Sequence, residues 1–178
     1  LELQALADLD VRKGHVAVAL ARRRLHLRVA VEDEDALPEK RAQAVAQGLA
    51  GWGGSKGSHV EDPKLETYTP EAYVAALESL VEQHQPQLVL CGHSYQAIDF
   101  FPRLAGALDA ALVPDVTAME VVDGKPVFVR KVMNAKLDAR CIPTTPGPWL
   151  ASLQQGAFPP AAAGGAASPV EAASVDLS

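Results

Sequence analysis

Two apolar rhythms alternate along this chain, one at helical spacing and one in short unbroken runs. Leu1, Leu3, Leu6 and Leu9 recur at roughly helical spacing until Gly14 stops the pattern, so a helix is expected over 1–13. His15 leads into Val16-Ala17-Val18-Ala19-Leu20, a short apolar run bounded by Gly and Arg that predicts a buried parallel strand. A helix is expected over 38–50, and Gly51-Trp52-Gly53-Gly54 behind it reads as a turn. The clearest helix is 70–84. Thr69 suits its N-cap, Pro70 suits the first helical position, where an N–H would have no partner, and Tyr73, Leu77, Leu80 and Val81 form one stripe. Leu88-Val89-Leu90-Cys91 predicts a second buried strand, and Gly92-His93-Ser94-Tyr95-Gln96 the turn at its carboxyl end. A third helix is expected over about 99–109, beginning near Asp99 with Pro102 in its first turn.

Beyond Val113 the rhythm changes to strands. Residues 116–122, Asp123-Gly124 and residues 126–132 predict a hairpin with Asp-Gly as its tight turn, and 136–142 and 149–153 predict two further strands. From Pro159 onward the Ala/Gly/Pro-rich composition predicts a linker or tail over 159–178, leaving 1–158 as one domain. Alternating helices and strands followed by a β-rich end predict an α/β fold: a three-layer, doubly wound, mostly parallel sheet with an added antiparallel hairpin portion. Such a domain should open with a strand that this chain lacks. Its first residue is Leu1 rather than Met, so the natural chain is expected to start earlier.

Composition narrows the function classes. The 178 residues suit one α/β domain with a tail, and 48% apolar residues supply a core without a metal or disulfide staple. A formal net charge of −6 argues against a general nucleic-acid surface, which needs clustered cations. Cys91 and Cys141 show no CxxC spacing and read as reduced thiols of a cytoplasmic or matrix-like reducing compartment. No run of about 18 apolar residues is present to span a membrane. The runs Arg22-Arg23-Arg24 and Glu32-Asp33-Glu34-Asp35 read as solvated surface, with a docking site as the alternative.

Candidate chemistry concentrates at one turn. In open α/β sheets ligands bind beyond the carboxyl ends of the strands, which here means Gly92, His93, Ser94 and Gln96. Gly92 would let the backbone turn tightly, and the following helix N-terminus would favour an anion such as a nucleotide phosphate. The alternative is an ordinary strand-to-helix turn whose polar side chains satisfy local backbone groups. His93, Ser94 and Asp99 supply triad residue types, but Gln96 stands where a nucleophile elbow needs its second glycine. His15, His26, His59, His84 and His93 form no His-x-x-x-His pair for a metal. Arg130 alternates in facing with Val129, so it either projects toward a partner or cofactor or lies on a solvated strand face.

The stretch from Tyr68 to Phe158 resembles the N-terminal domain of electron-transfer flavoprotein alpha subunits. An ordered set of segments carries the resemblance: Tyr68-Thr69-Pro70-Glu71-Ala72-Tyr73, Pro86 to Gln96, Asp99 to Ala105, Val113-Pro114-Asp115-Val116-Thr117, Phe128-Val129-Arg130 and Gln155-Gly156-Ala157-Phe158. Residues 21–47 match poorly, and Ala135-Lys136 replaces the family's Gly-Lys. The resemblance implies a scaffold and subunit-pairing domain that catalyses nothing by itself. It implies pairing with a beta subunit that can carry AMP, and electron flow through FAD from dehydrogenases to a quinone reductase. The family's FAD-binding C-terminal segment has no counterpart before Ser178. A stand-alone adenine-nucleotide-binding module, using Gly92 to Gln96, is the alternative.

Overall fold

The computed structural model describes residues 13–21, 26–32, 54–65, 67–158, 169–175 and 177. The helices expected over 1–13 and 38–50 lie outside them, apart from Lys13, which opens a strand. The described chain runs β1 (Lys13–Ala21), β2 (His26–Glu32), β3 (Gly54–His59), α1 (Pro70–His84), β4 (Leu88–Gly92), α2 (Tyr95–Ala107), β5 (Ala111–Val122), β6 (Lys125–Val132), β7 (Leu137–Cys141), β8 (Trp149–Leu153) and β9 (Val170–Ala172). All nine strands join one sheet in the order β7-β6-β5-β8-β4-β2-β1-β3-β9. Its centre, β2-β4-β8-β5, is parallel throughout, while β6 and β7 extend it antiparallel on one side. The fold is mixed α/β, a parallel central sheet with antiparallel additions.

Residues 16–20 do form strand, but not the parallel one expected. β1 pairs antiparallel with both β2 and β3. Only residues 22–25 separate β1 from β2, and a parallel partner would need a crossover of about a dozen residues. β2 and β3 were not expected. The alternation in His26-Leu27-Arg28-Val29-Ala30-Val31 was hidden between charge runs, and Gly54-Ser55-Lys56-Gly57-Ser58-His59 carries almost no apolar signal. Within the segment expected as linker or tail, Val170–Ala172 pairs parallel with β3.

Helix α1 begins and ends where its local chemistry directs. Thr69 is extended ahead of Pro70, and the left-handed Gln85 donates its N–H to Val81 O at 2.8 Å before Pro86 stops the helix. Helix α2 starts four residues earlier than expected, because Ser94 Oγ accepts the Ala97 N–H at 3.1 Å and caps it there. Pro102 therefore lies inside the helix rather than in its first turn. It faces solvent, where water can satisfy the Ile98 carbonyl that loses its helical donor.

The two helices pack together on one face of the sheet. Tyr73, Leu77, Leu80, Phe100, Phe101 and Leu104 meet Val89, Cys91 and Leu150 there. Strand alternation sends Leu88, Leu90, Ala151 and Leu153 to the opposite face, where Val113, Val116 and Phe128 join them. β4 is buried at every position, as a central parallel strand should be. The hairpin turns on Asp123 (φ 51) and Gly124 (φ 77), the left-handed pair that a two-residue connection of this kind demands.

Candidate functional site

The carboxyl ends of β4, β8 and β5 converge on a small polar cluster. Gly92, the last residue of β4, pairs with Leu153 of β8, and Leu153 pairs with Val116 of β5. Val116 pairs in turn with Arg130 of β6. Gly92 and Arg130, far apart in sequence, thus stand in one cross-strand row three strand spacings apart, or about 14 Å.

Above this row His93 leaves β4 with its N–H on Leu153 O at 2.8 Å, and its ring turns toward β8. Its Nδ1 lies 2.9 Å from Ser152 Oγ, and its Nε2 lies 3.9 Å from Asp115 Oδ1. Ser152 Oγ also accepts the Asp115 N–H at 3.1 Å, while Gln154 Nε2 donates to Asp115 Oδ1 at 3.1 Å. The Ser152 hydroxyl hydrogen then fits His93 Nδ1, which leaves the ring's other N–H facing the Asp115 carboxylate. Asp115 holds a left-handed backbone (φ 57) where the β5–β8 register slips between Val113 and Val116. The side-chain network stabilises that bulge, and the bulge steers β5 from the parallel centre into the hairpin.

The structure does not bring His93, Ser94 and Asp99 together as a triad. Ser94 Oγ is engaged in capping, and Asp99 accepts from the Tyr68 hydroxyl at 3.0 Å and from Arg103 at 3.3 Å. Burial and the neighbouring Asp99 raise the Tyr68 pKa above its ordinary value. Ser152 and His93 do touch beside a carboxylate. Ser152 is buried, however, and its oxygen is held by a backbone N–H, so the contact is structural.

A nucleotide phosphate finds few donors at this turn. Gly92 is extended within β4, and the N–H groups of His93, Ser94, Ala97 and Ile98 are already spent on Leu153 O, Gly92 O, Ser94 Oγ and Ser94 O. Those of Tyr95 and Gln96 remain, which is less than the converging set a phosphate cradle presents. The residues here do not fit a pyrophosphate well. Arg130 is half-buried, and its enclosed Nε has no hydrogen-bond partner among the described residues. Among the described residues no three His, Cys, Asp or Glu side chains group as metal ligands, and no helix is long and apolar enough to cross a membrane.

Comparison with known proteins decides what this architecture belongs to. The model of the electron transfer flavoprotein domain family matches residues 36–178. The chain belongs to this family. It is 36% identical over 104 residues to the electron transfer flavoprotein subunit alpha of Bacillus subtilis, covering 58% of this chain and 32% of that protein. It is 35% identical over 101 residues to the alpha subunit of Syntrophomonas wolfei, covering 57% of this chain and 32% of the relative. The acryloyl-CoA reductase electron transfer subunit beta of Anaerotignum propionicum is 30% identical over 79 residues, or 44% of this chain and 22% of its own length. The chain thus spans about a third of the length of the electron-transfer flavoprotein alpha subunits it matches first. It corresponds to their N-terminal domain.

Gly92, His93, Ser94 and Gln96 stand at the sheet end as their place after β4 predicts, whereas nothing in the sequence pattern singles out Asp115 and Gln154, which join Ser152 there. Ser152 was the available signal: it is the one polar residue in the strand Trp149-Leu150-Ala151-Ser152-Leu153.

Proposed function

We propose that this chain is the scaffold and subunit-pairing domain of an electron-transfer flavoprotein that carries electrons from dehydrogenases to a quinone reductase. By itself it catalyses nothing. The observation that carries this reading is the family match over residues 36–178, made by a chain that spans about a third of the alpha subunits it resembles. FAD supplies reversible electron uptake in such a carrier. It would be held mainly by the remaining two thirds of an alpha subunit of the relatives' length, with AMP in the partner beta subunit.

In this reading the sheet-end turn, Gly92, His93, Ser94 and Gln96, and the hairpin bearing Arg130 meet the beta subunit. Support comes from Arg130, which is only half-buried on the hairpin, in the same cross-strand row as Gly92. A carboxylate or carbonyl of the opposing subunit would engage the part of its side chain that stays accessible. Cys91 and Cys141, both free thiols, suit a reducing compartment.

The test is co-expression with an electron-transfer flavoprotein beta subunit, followed by gel filtration and a visible absorption spectrum. A stable complex, weakened by Arg130→Ala, is the expected result, with no flavin bands on the chain alone. Failure to form any complex overturns the pairing role, and stoichiometric flavin on the isolated chain overturns the placement of FAD.

A further inference from the structure

The sheet ends at β7. Among the described residues this strand pairs on one side only, with β6, so its other side presents a row of free backbone N–H and C=O groups. The flanks of the strand are unusually apolar for an outer edge. Leu137 is 58% exposed, Ile142 57%, and Met133 in the preceding turn 72%. An open edge of this kind accepts another strand, and the residues of β7 specify which one.

β7 reads Leu137-Asp138-Ala139-Arg140-Cys141. Its pairing with β6 settles the facing of each side chain. Leu137, Ala139 and Cys141 oppose Val132, Arg130 and Phe128, so they continue the face on which Phe128 is buried. Asp138 and Arg140 lie on the reverse face, where Asp138 meets Lys131 at 2.7 Å and Arg140 meets Glu120 at 2.7 Å. In an antiparallel pair, directly opposed residues share one hydrogen-bonding type, and the type alternates along a strand. A two-fold axis between identical strands must therefore pass through a residue rather than through a peptide bond. An axis through Asp138 or Arg140 would set like charges face to face. An axis through Ala139 sets Asp138 of each copy opposite Arg140 of the other, with Leu137 opposite Cys141 on the apolar face. An axis through Leu137 or Cys141, at either end of the strand, leaves only that one residue opposite a residue of β7, whereas the Ala139 register pairs all five and is favoured twice by opposite charge and twice by apolar contact.

We infer that β7 pairs antiparallel with β7 of a second copy of this chain, with Ala139 on the two-fold axis. Ala139 is the cross-strand neighbour of Arg130, so the edge adjoins the surface proposed for the beta subunit. Because the pairing is read from the purified chain alone, its failure and the failure of that reading are distinguishable. Its contacts are few, so it forms in a concentration-dependent way.

Sedimentation velocity over a wide concentration range tests it. The wild-type chain moves from monomer toward dimer as concentration rises. Asp138→Arg or Arg140→Asp alone, each creating two like-charge contacts, shifts the midpoint at least tenfold higher, and the double exchange Asp138→Arg with Arg140→Asp restores it. Circular dichroism of each variant reports whether the fold survives the loss of the Lys131 or Glu120 contact. A second measurement leaves those charges untouched. In a Cys141→Ser background, Ala139→Cys places two thiols directly opposite, within reach of a disulfide, whereas Leu137→Cys does not. Oxidation therefore gives a covalent dimer for Ala139→Cys only. A chain that stays monomeric at every concentration, a dimer indifferent to the charge changes, or equal cross-linking at both positions overturns the inference.

Discussion

The imidazole of His93 and the hydroxyl of Ser152 meet at 2.9 Å, across the two central strands β4 and β8. The same oxygen accepts the Asp115 N–H, so one buried serine ties the sheet-end turn to the bulge that launches the hairpin. Ser152→Ala leaves a histidine nitrogen and a backbone N–H unpaired at once. Its expected cost is about 1–3 kcal/mol of unfolding free energy, read from urea denaturation. Hydrogen exchange should quicken at Asp115 before it quickens in α1. A variant as stable as the wild type would show that water replaces the hydroxyl without loss.

Cys91 lies fully enclosed between the helices and the sheet, and burial pushes its thiol up to about 12 from the ordinary 9.0. The folded protein therefore holds this proton where the unfolded chain releases it. Stability from this source is fully present below about 9 and is lost as pH climbs toward about 12. Cys91→Ala should flatten that alkaline decline in thermal melts, despite a lower starting stability. In the native wild type a thiol-reactive chromophore should reach Cys141 but not Cys91, and both in denaturant.

His84 ends α1, a position that by itself favours a cation. Burial outweighs this and, with the nearby Lys56, lowers its pKa below the ordinary 6.5. In acid the unfolded chain takes up a proton that the folded chain refuses, so stability falls as pH drops from 6.5 through the lower native value. His84→Gln should reduce the slope of stability against pH in that window and leave it unchanged at pH 8. An identical slope in the variant would assign the acid loss to other groups.

Met133, Asn134 and Ala135 form a run of left-handed residues between β6 and β7, with Ala135 at φ 62. A side chain there costs about 1–2 kcal/mol, which glycine avoids while adding about 0.5–1 kcal/mol of chain entropy. Ala135→Gly should therefore stabilise the protein by roughly 0.5–1 kcal/mol, visible as a Tm rise of a few degrees. A lower Tm would mean that the Ala135 methyl group contributes more by packing than its backbone strain costs.

The parts of the fold legible in the sequence were those governed by local signals. Pro70 and Gln85–Pro86 bound α1, Asp123-Gly124 fixes the hairpin, and the strand over residues 149–153 appears where its apolar run lies. Residues whose state is set by distant partners were not legible. Gly54 to His59 becomes a strand because β1 and β9 flank it, and nothing in its own composition asks for one. Of the candidate site, the sheet-end turn followed from topology. The cluster at Ser152 did not, because Asp115, Ser152 and Gln154 meet only after β5 and β8 have paired. The α2 boundary fell between these cases: Ser94 carried a cap signal, but Pro102 drew the expected start toward itself.

The short strand β9, laid along β3 at the far end of the sheet, makes the two ends unequal. One end finishes in three residues from the chain's own later segment, too little to template a newcomer. The other finishes in β7. Pairing through β7 uses the same edge of both copies and leaves each, among the described residues, only the short β9 edge. Assembly by this route closes at two and cannot run on into a fibre.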